Sequence, residues 1–174
     1  MSSGPPTPDS KSGWTLSTSQ IIDAPVEKVW ETLLDFPSYP EWNPFVRKQL
    51  VKDKSGRLAD PQVISQGAVL DMTTHIPHTM DDTAKPTKAA ATVTIVDNEN
   101  HRVSWKYKFA FNWLLKSVRW QTVTATEDGK AKYESVETFT GLLVGATKSA
   151  VGDNLQKAFI AMGEALKARA EESS

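Results

Sequence analysis

The apolar positions along the chain follow two different periods. Apolar and polar residues alternate in seven segments, as they do when side chains point to opposite faces of a β-strand. The predicted strands cover residues 14–22, 45–52, 68–76, 89–97, 102–111, 118–126 and 132–140. From about residue 143 to 170 the apolar spacing changes to three and four, which predicts a long amphipathic helix. This order predicts an α+β fold in which a curved antiparallel sheet wraps around the C-terminal helix.

A short helix is predicted between the first two strands, over about residues 26–34. Val26, Val29 and Trp30 have the spacing of one buried helix face. Asp23 is expected to cap the N-terminus of this helix, with Pro25 in the first turn, where a missing N–H costs nothing.

Composition narrows the class of protein. Residues 1–13 are rich in Ser, Pro and Gly and are predicted to be a disordered leader, followed by a single domain over residues 14–172. The absence of cysteine excludes disulfides, thiolate nucleophiles and zinc sites with sulfur ligands. A net charge of −1 and no long apolar run argue against nucleic-acid binding and stable membrane insertion. We expect a cytoplasmic monomer or weak homodimer.

The clearest turn in the chain is Asp128-Gly129, which is typical of a two-residue hairpin loop. Such a loop pairs Glu127 with Lys130 and therefore places Trp120 opposite Glu137. Arg119 then lies on the outer, solvent-facing side of the sheet. The predicted inner face of this hairpin carries Val118, Trp120, Thr122, Thr124, Tyr133, Ser135, Glu137 and Phe139.

The preceding strand adds one aliphatic and four aromatic side chains to the same face, namely Val103, Trp105, Tyr107, Phe109 and Phe111. A dry core seldom contains several hydroxyls and a carboxylate, because each buried polar group needs a partner. The pattern favours a cavity with an amphipathic lining over a core filled by the C-terminal helix, although a filled core would also turn aromatic residues inward. The predicted ligand-binding residues are Trp105, Tyr107, Phe109, Trp120, Thr122, Tyr133, Ser135 and Phe139.

Four short motifs resemble one superfamily. They are IDAPVEKVW at 22–30, LDFPSYPEWNPF at 34–45, ETFTGLL at 137–143 and ALKARAE at 165–171. In order and spacing they resemble the SRPBCC (START and Bet v 1-like) proteins, especially the polyketide cyclase/dehydrase branch. The resemblance implies a helix-grip fold, in which a seven-stranded antiparallel sheet encloses a deep hydrophobic pocket. The glycine-rich loop of the plant Bet v 1 branch and the metal-binding set of the oxygenase members do not match this sequence.

The resulting hypothesis is a protein that binds a hydrophobic small molecule such as a polyketide, lipid or aromatic metabolite. One alternative is a polyketide cyclase or dehydratase that needs no cofactor and uses Glu137 as general acid or base. The other interpretation of Glu137 is a structural carboxylate bonded to a helix terminus or to Arg47 or Arg119.

A second alternative is a lipid or quinone carrier that opens near residues 109–115, a segment that is equally compatible with a dimer contact or with core. His75, His78, Asp81 and Asp82 lie in a polar loop whose spacing is poor for a metal, so no metal site is predicted. His75 is expected to face solvent, together with Asp71 and Thr73.

Overall fold

A single antiparallel sheet of seven strands forms the body of the protein. The computed structural model describes residues 13–109 and 114–172. In spatial order the strands run β1-β7-β6-β5-β4-β3-β2, so consecutive strands from β2 to β7 are neighbours and β1 closes against β7. Their bounds are β1 Gly13–Ile22, β2 Val46–Lys52, β3 Val69–Thr74, β4 Thr87–Asp97, β5 Arg102–Tyr107, β6 Lys116–Ala125 and β7 Ala131–Thr140.

The long C-terminal helix, α3 (Val144–Glu172), lies against β1 and β7. Its buried side chains Leu155, Phe159 and Met162 are spaced four and three apart and therefore share one helix face. Each such side chain, when removed from water, contributes roughly 1.5–3 kcal/mol. The predicted α+β fold, a curved sheet around a C-terminal helix, is confirmed.

The segment between β1 and β2 contains α1 (Val26–Leu34), a 3-10 turn (Phe36–Ser38) and the four-residue helix α2 (Tyr39–Trp42). The predicted bounds of α1 are confirmed, but the predicted cap is wrong. Pro25 itself occupies the N-cap position, and no side chain caps the helix. The Asp23 backbone N–H instead donates to a Glu171 carboxylate oxygen at 2.8 Å, which joins this segment to the end of α3.

The strands β3 and β5 each end at least two residues earlier than predicted. β3 ends at Thr74, so the alternation does not extend to His75. The prediction that His75 faces solvent is wrong: it is 4% exposed, and its backbone N–H donates to the Phe45 carbonyl at 2.9 Å. β5 ends at Tyr107. The predicted continuation of that strand to Phe111 falls partly on residues 110–113, outside the described residues.

The hairpin between β6 and β7 has a three-residue loop, and the predicted register is therefore wrong by one residue. The Thr126 N–H donates to the Lys130 carbonyl at 2.9 Å, and Gly129 has a φ of +80°, as expected for a turn that ends in a glycine bulge. Arg119, and not Trp120, consequently lies opposite Glu137. Because side chains alternate along a strand, this shift turns every side chain of β6 to the other face of the sheet.

The predicted leader at residues 1–13 lies outside the described residues apart from Gly13, which begins β1. Among the described helices, none combines the length and the apolar character needed to cross a bilayer.

Candidate functional site

A cavity of about 170 Å³ lies between the inner face of the sheet and the N-terminal half of α3. Apolar side chains form most of its wall, and Glu137 is the carboxylate among them. The cavity is lined by Phe45, Thr74, Ile76, Thr87, Ala89, Tyr107, Phe109, Leu115, Glu137, Phe139, Thr147, Val151 and Leu155. Strand alternation places the β7 members here, whereas the helix contributes positions four residues apart.

Glu137, the carboxylic acid on this wall, has a pKa far from its usual value. Its side chain is almost fully buried and accepts a hydrogen bond from the Ser117 hydroxyl on β6. Burial raises the pKa of Glu137 to about 7, although the positive charge of Arg119 and the Ser117 hydrogen bond both lower it. Near neutral pH the carboxyl group therefore exists in both its protonated and its ionised form.

Arg119 is buried deeper in the protein, beneath the middle of α3. Its Nε donates to the Ser135 hydroxyl at 3.1 Å, and its guanidinium carbon lies 4.2 Å from the centre of the Phe159 ring. Within the described parts of the chain, no carboxylate lies within 4 Å of this guanidinium. Burial alone lowers the pKa of Arg119, but Tyr107, Tyr133 and Glu137 raise it above its usual value, so the group stays charged.

Two tyrosine hydroxyls complete this polar layer. Tyr133 donates to the Gln121 side-chain oxygen at 2.5 Å, and burial raises its pKa. Burial also raises the pKa of Tyr107 to about 12, with a further contribution from the charge of Glu137. Tyr107 therefore stays protonated, lines the cavity and contacts the Arg119 side chain, and its O–H can still donate a hydrogen bond.

The structure divides the predicted ligand-binding residues into three groups. Tyr107, Phe109 and Phe139 line the cavity together with Glu137. Trp105, Tyr133 and Ser135 lie on the inner face but surround Arg119, deeper than the cavity. Trp120 and Thr122 lie on the outer face, as do Val118 and Thr124, because of the shifted register. The prediction that these four β6 residues face inward is wrong.

The residues that the sequence analysis missed are the true inner positions of β6, namely Ser117, Arg119, Gln121 and Val123. The first three are polar, so a hydrophobic alternation could not identify them as inward-facing. The available signal was the loop sequence around Gly129, which fits a two-residue and a three-residue hairpin loop alike. Only pairing with the neighbouring strands distinguishes the two registers.

A metal site is not evident in this region. Among residues 13–109 and 114–172, no three His, Asp or Glu side chains are grouped so that they could hold a metal ion.

The sequence matches the family model described as polyketide cyclase / dehydrase and lipid transport over residues 13–171. The chain belongs to this family. The match spans every helix and strand of the fold up to Glu171. No curated protein sequence matches the chain significantly.

Solved structures share the architecture of this family member at low sequence identity. A hypothetical protein from Helicobacter pylori aligns with a TM-score of 0.74 at 12% identity, covering 94% of this chain and 91% of the other. The Zhui aromatase/cyclase from Streptomyces sp. R1128 aligns with a TM-score of 0.65 at 12% identity, covering 92% of this chain and 94% of the other. A START superfamily protein from Mycobacterium smegmatis aligns with a TM-score of 0.60 at 16% identity, covering 92% of this chain and 99% of the other. At these identities the shared property is the fold.

Proposed function

We propose that this protein binds a mostly apolar small molecule in the cavity between the sheet and α3. The observation that carries the proposal is a mostly apolar cavity wall that includes the carboxylic acid Glu137 and the phenol Tyr107. A few polar groups in a largely apolar cavity are typical of small-molecule sites, because apolar burial supplies affinity and polar groups set orientation.

The size of the cavity limits what can fit inside. Cavities that hold whole drug-sized ligands usually measure about 300–1,000 Å³, whereas a cavity of about 150 Å³ is enough for a benzene ring. The cavity of about 170 Å³ in this protein therefore suits one ring or one short chain segment. A longer polyketide or lipid would place only one end in this space.

The polar groups favour a ligand with a carbonyl oxygen. The Tyr107 hydroxyl is protonated throughout the neutral range, and the protonated form of Glu137 also donates. Both residues line the same cavity. A ligand that offers an acceptor oxygen can replace the hydrogen bonds with water that these groups lose on burial.

A cavity-filling substitution tests the binding proposal with 4-phenylbutanol, a single ring on a short chain, as the calorimetric probe. We expect saturable binding to the wild-type protein and its loss in Val151→Trp, whose side chain enters the cavity. Ala150→Trp adds the same bulk at the exposed neighbouring position and should bind normally. Thermal melting establishes that both variants fold. Absence of binding to the wild type, or full binding to folded Val151→Trp, would overturn the proposal.

We propose as a second function a proton transfer at Glu137, because its pKa of about 7 lies near working pH and the group borders the cavity. With a ketone bound, the ionised carboxylate removes a proton from the carbon beside the carbonyl. The bonding electrons move to the carbonyl oxygen, where the Tyr107 hydroxyl stabilises the enolate. The protonated Glu137 returns a proton to the carbon. This enolisation is the elementary step that a cyclase or dehydratase requires.

Deuterium exchange into 4-phenylbutan-2-one, followed by NMR, tests this step. We expect exchange to rise with pH up to about 7 and then level, because the carboxylate form is the base. Glu137→Gln should slow exchange at least about 100-fold, while Glu134→Gln, on the outer face of the same strand, should not change it. Equal exchange in Glu137→Gln would remove this residue from the chemistry.

The carrier function remains a prediction. Phe109 and Leu115 line the cavity, but the rest of the expected opening at 109–115 falls largely outside the described residues.

A further inference from the structure

The sheet opens between β5 and β6 next to the cavity. The paired register of these strands ends at Lys106 and Val118, and the following residues, Tyr107 and Ser117, are not paired with one another. A groove of about 320 Å³ lies at this gap. Its walls are Lys106, Tyr107, Lys116, Ser117, Val118 and Thr140.

The groove and the internal cavity meet at two side chains. Tyr107 lines both of them. Ser117 lines the groove, and its hydroxyl donates to Glu137 on the cavity wall. Tyr107 and Ser117 therefore lie between the groove and the cavity.

The groove carries positive charge from two lysines. Lys106 and Lys116 are both exposed, and within the described part of the chain neither has a carboxylate within 4 Å. Their outer-face neighbours Val118 and Thr140 are uncharged. Lys108 follows two residues after Lys106 and is also exposed.

Two lysines on other strands pair with a carboxylate. Lys52 pairs with Asp71 at 2.6 Å, and Lys132 pairs with Glu134 at 3.0 Å. Lys48 and Lys88 have no carboxylate within 4 Å among the described residues, so the distinguishing feature of Lys106 and Lys116 is that both border one groove. Two ammonium groups beside the same groove favour an anion.

We propose that the β5–β6 groove binds the anionic head of an amphiphilic ligand, a phosphate or carboxylate, while the apolar end of that ligand occupies the cavity beyond Tyr107. This inference rests on the proposed binding function and specifies its ligand class: a ring or chain segment joined to an anionic group. The small cavity volume fits this division, because only the apolar end needs to be enclosed.

Calorimetry with three probes tests the groove. These probes are 4-phenylbutyl phosphate, its neutral parent 4-phenylbutanol, and inorganic phosphate. For the wild type we expect the ester to bind about tenfold more tightly than the alcohol, and inorganic phosphate to bind more weakly than the ester. The double variant Lys106→Gln/Lys116→Gln should reduce ester affinity to that of the alcohol and leave alcohol affinity unchanged. Higher ionic strength should lower the affinity for the ester and leave the affinity for the alcohol unchanged.

Two control variants separate the possible outcomes. Lys48→Gln/Lys85→Gln removes two exposed lysines elsewhere and should preserve the advantage of the ester. Val151→Trp, which fills the cavity, should weaken binding of the ester as well as of the alcohol.

Three outcomes would contradict a proposal. If the alcohol binds but the ester binds no more tightly, or if the ester keeps its higher affinity in Lys106→Gln/Lys116→Gln, the groove proposal is wrong and the cavity proposal stands. If inorganic phosphate binds as tightly as the ester, the groove takes free anions and the amphiphile is excluded. If the alcohol does not bind at all, the cavity proposal itself fails.

Discussion

The two halves of α3 cover the same sheet but produce different interiors. In the C-terminal half, Phe159, Met162 and Leu166 are fully buried and fill the space above the sheet. In the N-terminal half, Thr147 and Val151 are only partly buried and leave a cavity. The two alternatives suggested by the sequence, a filled core and a ligand cavity, are therefore both present, at opposite ends of one helix.

Arg119 lies at the boundary between these halves. Its guanidinium packs on Phe159 and contacts the Met162 sulfur at 3.4 Å, so the cation completes the filled half. The next inner residue of β6 is Ser117, which donates to Glu137 on the cavity wall. A helix-grip fold can thus keep a well-packed half for stability and a less filled half for a ligand.

The largest expected effect concerns packing of the filled half. Phe159→Ala should lower the free energy of unfolding by about 3–5 kcal/mol, because it leaves a void and removes the ring that packs on Arg119. Val151→Ala, on the cavity side, should cost about 1 kcal/mol or less, because Val151 already borders empty space. Urea denaturation measures both. Similar costs for the two substitutions would show that the halves do not differ in packing.

Glu137 should make stability pH-dependent on the cavity side. Its pKa is raised from 4.5 to about 7 in the folded protein, so the folded state binds this proton more tightly than the unfolded chain does. Its stabilising contribution is complete below about pH 4.5 and is lost as pH rises to about 7, in total roughly 3 kcal/mol. Thermal melts of the wild type and Glu137→Gln across this range measure the difference. Parallel pH profiles would contradict the raised pKa.

Arg119 links the two halves electrostatically, and its replacement should act on Glu137. Arg119→Met retains apolar packing but removes the charge that lowers the pKa of Glu137, so this pKa should rise above about 7. Stability should change by no more than about 2 kcal/mol in either direction, since replacing a buried charge with an apolar side chain often costs little. Carboxyl titration by NMR follows Glu137 directly. An unchanged Glu137 pKa would show that the charge of Arg119 does not reach the cavity wall.

The smallest effect is expected for Trp120, which lies on the outer face of β6. Trp120→Phe should change the affinity for 4-phenylbutanol by less than about twofold. Tyr107→Phe removes the hydroxyl of a residue that lines the cavity and should lower the affinity for 4-phenylbutanol more than Trp120→Phe does. A larger effect for Trp120→Phe would support the predicted two-residue hairpin over the observed three-residue loop.

Strands with a strong apolar alternation were predicted with the correct face. Trp105 and Tyr107 on β5 and Tyr133 and Phe139 on β7 point inward as expected, because each apolar side chain is matched by a polar neighbour on the other face. The prediction of the inward face was wrong for β6 because both faces of this strand mix polar and apolar residues. There, the number of loop residues decides which face is buried, and Asp128-Gly129 does not determine that number.

The amino-acid sequence by itself determined the element order, the long C-terminal helix and the inner face of β7, because these depend on periodicity within one segment. It therefore identified Glu137 as an inward carboxylate. Only the tertiary structure decided that Arg119 lies opposite Glu137, that α3 fills one half of the interior and leaves the other open, and that two exposed lysines flank a gap beside the cavity. These features depend on the register between strands and on the distance between helix and sheet, which arise from contacts between residues far apart in the chain.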